Sequence, residues 1–188
     1  MPEPDRTSPV GYVTLLFGSE AEEQVRSHQA RVASLAGVEP LAYRPHVTLT
    51  GHRTDAERIG AVMAEVATGT APFPLRLHHV GVFPENRVVF LAPRVTDQLL
   101  RLRAALLTRL GPPANPFFAP DQWSPHCTIG AALPGDLLGA AAGLVIDGWE
   151  AIETTAVALG LVVEPDTWDT TVVPLAPAPG PRTRPSTP

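Results

Sequence analysis

The sequence predicts an α+β fold of two duplicated β-α-β-α-β lobes. Strand-like and helical segments alternate, and the order of five elements that starts at Tyr12 is repeated from Arg87. Each repeat contains a strand of the form His-x-Thr, "HVTL" at 46–49 and "HCTI" at 126–129. The mixture of hairpins and crossovers argues against a doubly wound parallel sheet.

The chain is expected to fold as one bilobal domain over residues 10–176, with halves at about 10–84 and 85–176. Its length of 188 residues suits one domain, or two small lobes that share a core. Residues 1–9 are polar and contain prolines, and residues 177–188 are rich in proline with little to bury. Both ends are therefore expected to be disordered.

Seven strands are predicted where short apolar or alternating runs are bounded by turn residues. They are expected at 12–17, 46–51, 73–83, 87–93, 126–131, about 151–163 and 168–175. Four helices are predicted where apolar residues recur at helical spacing. They are expected between Ser19 and Gly37, from Thr54 to Val66, from Leu99 to Leu110 and over about 136–144.

Two of these helices begin with the spacing of a capping box, in which a hydroxyl and a carboxylate bond N–H groups of the first turn. The pairs are Ser19 with Glu22, and Thr54 with Glu57. Ser19 and Thr54 are therefore the predicted N-caps.

The basic residues, fourteen in number, are all arginine, and the formal net charge is −5. An acidic chain is poorly suited to sequence-independent binding of duplex DNA or RNA, because such binding needs a basic surface. The absence of lysine excludes a lysyl-nucleotide intermediate, a Schiff base and the lysine-containing phosphate loop. A small anionic ligand or a single nucleic-acid end stays compatible with this composition.

The one cysteine, Cys127, has no partner within the chain, so the reducing cytoplasm is the expected compartment. No apolar run is long enough to span a bilayer, and the first residues lack the pattern of a secretory signal. A monomer without membrane association is expected.

The two His-x-Thr strands point to acid–base chemistry. Residues i and i+2 of a strand share a face, so His46 lies beside Thr48 and His126 beside Thr128, with apolar residues on the other face. If the two lobes oppose each other, two imidazoles and two hydroxyls converge in the cleft. One imidazole can then take a proton while the other gives one, and the hydroxyls can donate to phosphate oxygens. Such a set fits displacement at a phosphodiester, a strained cyclic phosphate above all.

"HVTL" and "HCTI" resemble the twin signatures of the two-histidine (2H) phosphoesterase superfamily, within it those of the 2'-5' RNA ligase and RNA 2',3'-cyclic phosphodiesterase group. "VGVFPENRVVFLAP" is similar to the family's central hairpin, and "WSPHCTIG" to its second motif. The resemblance implies that the two lobes are related by a pseudo-two-fold axis around a central cleft. It also implies metal-independent chemistry without a cofactor. It further implies that His46 donates a proton to the leaving oxygen, that His126 activates water, and that Thr48 and Thr128 bind the phosphate. Ligation in this group reverses the opening of a cyclic ester, which agrees with the missing lysines.

Four residues around the motifs are possible substrate contacts. Arg44 shares the strand parity of His46 and can reach an anion at the cleft rim, and Arg87 closes the central hairpin. Phe118 and Trp123 lie in the long loop at 111–125, where an aromatic ring can stack on a nucleobase, although these rings can equally cap the core.

Three other histidines are interpreted as non-catalytic. His52 follows Gly51 and is expected in a surface loop. His78 and His79 are adjacent in a strand and point to opposite faces, so joint binding of a metal ion is not expected.

The leading hypothesis is a phosphoesterase that hydrolyses 2',3'-cyclic phosphates of RNA ends or nucleotides, with 2'-5' RNA ligation as the reverse reaction. Two alternatives stay open. The same chemistry can act on another cyclic nucleotide phosphate, or the cleft can belong to a non-catalytic module that binds nucleotides or RNA ends. Two titratable groups favour the enzyme, because binding alone does not need them.

Overall fold

The computed structural model describes residues 9–53, 55–163 and 167–176. The strands of this part are β1 (Gly11–Phe17), β2 (Val47–His52), β3 (Phe73–Phe83), β4 (Val88–Pro93), β5 (Cys127–Gly130), β6 (Ile152–Val163) and β7 (Thr167–Pro174). The helices are α1 (Ser19–Ala36), α2 (Ala56–Thr68), α3 (Asp97–Leu110) and α4 (Leu138–Ile146). The predicted mixture of helices and strands is confirmed, while the ends predicted to be disordered lie, apart from residue 9, outside the described residues.

All the strand pairs of the sheet are antiparallel, in the order β2-β1-β6-β3-β4-β5, and β7 adds to β6. Strands β3 and β6 join the two halves of the sheet through Phe73–Leu77 and Ile152–Ala156. Beyond these segments β3 pairs with β4, and β6 pairs with β1. Each half of the sheet therefore contains strands from both halves of the sequence. This order is the one expected of a duplicated unit, although the duplication itself stays a prediction.

The two His-x-Thr strands carry a matched irregularity. In β2, Thr48 pairs with Thr14 and Thr50 pairs with Val13, so that Leu49 is passed over. In β5, Thr128 pairs with Phe90 and Gly130 with Val89, so that Ile129 is passed over. Each strand thus contains a bulge directly after its threonine, a device that bends a strand and redirects the side chains that follow.

Helix packing crosses between the two halves of the sequence. Helix α1 packs on β5 and α4, and helix α3 packs on β2 and α2. The apolar residues of the two motif strands form part of this core. Val47, Leu49, Cys127 and Ile129 are all buried. Removing this apolar surface from water supplies most of the stability of such a layered fold.

Both capping-box predictions are wrong. The N-cap of α1 is Gly18, whose extended backbone precedes Ser19, and Glu22 binds Arg44 instead of a helix N–H. The N-cap of α2 is Asp55, whose carboxylate accepts from the backbone N–H of Arg58 at 2.6 Å. In both helices the observed N-cap lies one residue from the predicted one. Two neighbouring residues can each adopt the backbone conformation of a cap, and the sequence does not decide between them.

The expectation that His52 lies in a surface loop is also wrong. The bulge after Thr48 changes which residues face the helices, so that Thr50 and His52 are buried. Their side chains hydrogen-bond each other at 2.9 Å, between Thr50 Oγ1 and His52 Nε2. Burial lowers the pKa of His52, and the backbone of Pro112 partly opposes this shift.

The outer edge of β2 is closed by donors from the second half of the sequence. Trp123 Nε1 donates to the Thr48 carbonyl at 3.0 Å, Arg103 Nε donates to the Leu49 carbonyl at 3.0 Å, and the backbone N–H of Ala114 donates to Gly51 at 2.8 Å. On the β5 side, Gln29 Nε2 donates to the Thr128 carbonyl at 3.0 Å. Carbonyls that a neighbouring strand would have paired are thereby satisfied.

No helix among the described residues is long and apolar enough to cross a membrane.

Among the residues that bond this edge of β2, Arg103 is the most suitable for a mutational test. It is 5% exposed, donates to the carbonyls of Leu49 and Phe118, and lies 4.3 Å from the centre of the Trp123 ring. Arg103→Met keeps the length of the side chain and leaves both carbonyls without their donor. We expect the free energy of unfolding to fall by about 2 kcal/mol in urea denaturation.

Arg101→Met is the matched control, since Arg101 lies on the same helix and is exposed. A loss for Arg103→Met no larger than that for Arg101→Met would contradict the role given to these hydrogen bonds.

Candidate active site

The four motif side chains differ from their neighbours in exposure. His46, Thr48, His126 and Thr128 are each half-buried, whereas the apolar residues between and after them are buried at 0–1% exposure. The apolar residues hold each strand against the core. The polar residues are therefore the ones that can meet a ligand.

Both histidines are held in the same way. His46 Nδ1 lies 2.7 Å from the carbonyl oxygen of Arg44, and His126 Nδ1 lies 2.8 Å from that of Ser124. A carbonyl only accepts, so Nδ1 carries the proton in each ring. Nε2 is then the nitrogen through which each imidazole would exchange a proton with a substrate.

The two motifs meet, although β2 and β5 lie at opposite ends of the strand order. The hydroxyl of Tyr43, which precedes the first motif, lies within hydrogen-bonding reach of the side chain of Thr128 in the second, a contact that lowers the pKa of Tyr43. The ring centre of Tyr43 also lies 5.5 Å from that of His46. In addition, the backbone N–H of His46 is within hydrogen-bonding reach of the Cys127 thiol. The segment that precedes β2 thus lies against β5.

The surroundings of His126 are aromatic. Its ring centre lies 4.9 Å from that of Phe83, nearly perpendicular to it, and 5.4 Å from that of Phe90. Phe83 and Phe90 stack on each other at 4.3 Å. Gly81 allows this arrangement, because a Cβ at that position would lie 2.3 Å from the Phe90 ring. Burial in this setting lowers the pKa of His126, and the carbonyl of Ser124 partly opposes the shift.

Two further groups near the motifs keep their protons. Burial raises the pKa of Cys127 to about 12, so the thiol is neutral and not a nucleophile at physiological pH. Burial also raises the pKa of Tyr43 to about 12, against the effect of its hydrogen bond with Thr128. Tyr43 is therefore present as the neutral phenol.

The four possible substrate contacts lie in different settings. Arg44 is bound by Glu22, with 2.5 Å between Nε and Oε1, and Arg87 is exposed in the turn between β3 and β4. The ring of Phe118 contacts that of Tyr12 edge-on at 5.9 Å. Trp123 is half-buried, with the Arg103 guanidinium over its ring and its Nε1 bonded to Thr48.

The sequence reasoning missed several residues that contact the motifs. Tyr43 and the pair Phe83 and Phe90 touch the histidines, while Gln29 and Arg103 bond the motif strands. A signal for Tyr43 was present, because each motif histidine has an aromatic residue three positions before it: Tyr43 in the first, Trp123 in the second.

The expectation that His78 and His79 point to opposite faces is wrong: they lie at a register shift of β3, and their ring centres are 3.9 Å apart. Among the described residues there is no cluster of three or more His, Cys, Asp or Glu side chains arranged to hold a metal ion.

A family model and several solved structures match the chain. The family model of the 2'-5' RNA ligase superfamily matches residues 17–168. Apo E. coli LigT is 20% identical, with a TM-score of 0.55 over 89% of this chain and 95% of LigT. TT0787 of Thermus thermophilus is 18% identical, with a TM-score of 0.56 over 89% of this chain and 98% of TT0787. No curated protein sequence matches the chain.

Three of the similar structures, complexes of E. coli LigT with ATP, NADP+ and 3'-AMP, contain a nucleotide. E. coli LigT in complex with 3'-AMP is 21% identical to this chain, with a TM-score of 0.53 over 93% of this chain and 96% of LigT. These likenesses show that the chain has the fold of LigT.

The Phe83 ring is expected to control the pKa of His126. Phe83→Ala admits water to the imidazole and removes part of the cost of charging it, so the pKa of His126 should rise toward 6.5. The measurement is an NMR titration of the His126 ring, in which the wild-type protein should titrate below 6.5.

Phe117→Ala serves as the control, since Phe117 is 70% exposed. An unchanged His126 titration in Phe83→Ala, or a wild-type pKa above 6.5, would show that the aromatic pair does not determine the protonation of this ring.

Proposed function

The chain belongs to the 2'-5' RNA ligase superfamily, and we propose that it is a metal-independent phosphoesterase acting on 2',3'-cyclic phosphates of RNA ends or nucleotides. His46 and His126 are the proposed acid and base, and Thr48 and Thr128 the proposed phosphate ligands. The reverse reaction would join RNA ends through a 2'-5' bond.

One observation carries this proposal: the motifs at opposite ends of the strand order contact each other. Tyr43 links the ring of His46 to the hydroxyl of Thr128, and Cys127 lies against the backbone of His46. A shared anion can then be held by both motifs at once. Two histidines with the same Nδ1 hydrogen bond would direct their Nε2 atoms to it from the two sides.

The different surroundings of the histidines support the division of roles. Because burial lowers the pKa of His126, this ring is neutral at pH 7 and its Nε2 has a lone pair for a water proton. That is the state a general base needs. His46 is then the acid. It begins the cycle protonated and gives its Nε2 proton to the departing ribose oxygen.

The reaction is an in-line displacement at phosphorus. Water attacks as His126 removes one of its protons, a P–O bond of the five-membered ring breaks, and the released oxygen takes the proton of His46. The product is a phosphomonoester. A second proton transfer, from His126 to His46 through solvent, restores the starting state. The hydroxyls of Thr48 and Thr128 would donate to the non-bridging oxygens, where charge grows in the transition state.

Two observations support the proposed substrate class. A structure with this fold, E. coli LigT, was solved with 3'-AMP, a nucleoside phosphomonoester of the kind that such a reaction releases. The net charge of −5 favours a nucleotide or a single RNA end over a long duplex. The same chemistry on another cyclic nucleotide phosphate is the second candidate, because the proposed roles of the motif side chains involve the phosphate and not the base.

Turnover of 2',3'-cyclic AMP in excess EDTA tests the reaction class. We expect the wild-type protein to open the ring, seen by 31P NMR as conversion of the cyclic diester to a monoester. His46→Ala and His126→Ala should each lower turnover by roughly 10²-fold or more, because each removes one proton-transfer step.

His79→Ala is the matched control, since it removes an exposed imidazole from β3. Binding of the cyclic nucleotide without any conversion would replace the enzyme by a binding module. Wild-type rates in either motif variant would refute the His/His mechanism.

The pH dependence of kcat/KM tests which histidine is the base. If His126 is the base, activity falls on the acid side as His126 becomes protonated, and this limb lies below pH 6.5. Phe83→Ala should move the acid limb to higher pH and leave the alkaline limb in place. A shift of the alkaline limb instead would assign the acid role to His126.

A further inference from the structure

The two motifs differ in the residue whose carbonyl holds the histidine ring. The Arg44 carbonyl accepts from His46 Nδ1 at 2.7 Å, and the Ser124 carbonyl accepts from His126 Nδ1 at 2.8 Å. Ser124 is exposed and has a short side chain, whereas Arg44 is half-buried and has a long one. The first motif can therefore be held through a side chain that reaches another element of the fold.

That element is helix α1, whose first turn contains Glu22. Arg44 Nε lies 2.5 Å from Glu22 Oε1, and the two side chains are 32% and 14% exposed. A charge-assisted hydrogen bond of this length is stronger than one between neutral groups, and a partly buried pair is less screened by salt than an exposed one. The guanidinium of Arg44 is thus fixed to the helix.

The same helix is also attached to the second motif. Gln29 is 2% exposed, and its Nε2 donates to the carbonyl of Thr128 at 3.0 Å. Gln29 follows Glu22 by seven residues, or about two turns, so both side chains lie on one face of α1, about 10.5 Å apart along its axis. Helix α1 therefore binds one residue of each motif at a spacing that its own backbone sets.

The path from Arg44 to the His46 ring is short and stiff. Pro45, between them, is buried. Its ring fixes its own φ, and its Cδ restricts the residue before it to extended backbone. The anchored Arg44 therefore has little freedom to turn its carbonyl away from the imidazole.

We propose that Glu22 is a positioning residue for His46. Glu22 holds Arg44, the Arg44 carbonyl holds the Nδ1 proton of His46, and Nε2 is thereby directed at the leaving oxygen. This inference rests on the proposed function, in which His46 is the acid. Glu22 acts on the ring through Arg44 and contacts no substrate.

The orientation of the His46 ring can be measured without any reaction. At about pH 9, well above the reference imidazole pKa of about 6.5, long-range 1H–15N spectra distinguish a proton on Nδ1 from one on Nε2. We expect the wild-type protein to show His46 with its proton on Nδ1. Glu22→Ala should add the Nε2–H tautomer, because the Arg44 carbonyl is no longer held in place.

The same variant should separate kcat from KM for 2',3'-cyclic AMP. We expect kcat to fall by about tenfold, the effect of one lost hydrogen bond. KM should stay within about twofold, since the threonines that would bind the phosphate are unchanged. A merely structural role would alter the free energy of unfolding without altering the His46 tautomer, and that result would overturn the proposal.

Two control variants define what Glu22 contributes. Glu23→Ala removes an exposed carboxylate from the neighbouring position of α1 and should leave the tautomer and kcat unchanged. Glu22→Gln keeps an acceptor oxygen at the same length and should restore most of the wild-type behaviour. Equal losses of kcat in Glu22→Gln and Glu22→Ala, with an unchanged tautomer, would mean that the charge acts from a distance, which contradicts the proposal.

A double-mutant cycle with Arg44→Met tests the route through Arg44. Arg44→Met keeps the backbone carbonyl and should by itself add the Nε2–H tautomer of His46, which gives a test even if Glu22→Ala does not fold. In this background Glu22→Ala should change kcat by less than about twofold, because the two residues act as one unit. A full tenfold effect there would refute the route. Tighter binding of inorganic phosphate by Glu22→Ala, measured by 31P NMR, would show that Glu22 keeps Arg44 from the ligand and would also overturn the proposal.

The two readouts keep this inference apart from the proposed function. A wild-type protein that opens the cyclic phosphate, with no change of tautomer or kcat in Glu22→Ala, refutes the role of Glu22 alone. A wild-type protein without turnover, whose His46 tautomer changes in Glu22→Ala, refutes the reaction and supports the positioning of the ring. Absence of both effects refutes both.

Discussion

The carbonyl edges of the two motif strands are the constraint on which the site depends. β2 and β5 end the strand order, and an edge strand that is left unpaired invites association with another chain. Here Trp123, Arg103 and Gln29 provide side-chain donors for those carbonyls, and each comes from the opposite half of the sequence. The hydrogen bonds to these carbonyls therefore also link the two halves of the sequence. The same hydrogen bonds that prevent strand addition bring the two histidine motifs to one place.

The backbones of the two histidine motifs are alike, but the side chains around them differ. Both histidines bond the carbonyl two residues earlier, and both motif strands have a bulge directly after the threonine. The strand next to each motif differs, however: Thr48 pairs with Thr14, whereas Thr128 pairs with Phe90. The aromatic ring at the second position helps to bury His126. Imidazoles in different settings differ in pKa, which would favour one as the base and the other as the acid of the proposed reaction.

The motifs and the elements that carry them were predictable from sequence, because period-2 and helical patterns are local. Parity counting correctly separated His46 and Thr48 from the buried Val47, and it failed for His52. A bulge adds a residue to one strand and so changes the face of every residue after it. No feature of the sequence around Leu49 predicts that bulge. The contact of Tyr43 with Thr128 could not be predicted either, because it depends on how two segments far apart in the sequence lie in the folded chain. The aromatic residue three positions before each motif histidine, by contrast, is visible in the sequence.

The charge of the site bears on its choice of ligand. Arg44 is bound to Glu22, and Arg103 is buried against two carbonyls, so the two arginines that contact the motif segments are already engaged. The proposed phosphate ligands are then two neutral hydroxyls and a single imidazolium. Such a set matches the one negative charge of a cyclic phosphodiester better than the charge of a phosphomonoester, about −1.5 to −2 at pH 7. Hydrolysis would convert a well-matched substrate into a poorly matched product, which would favour product release.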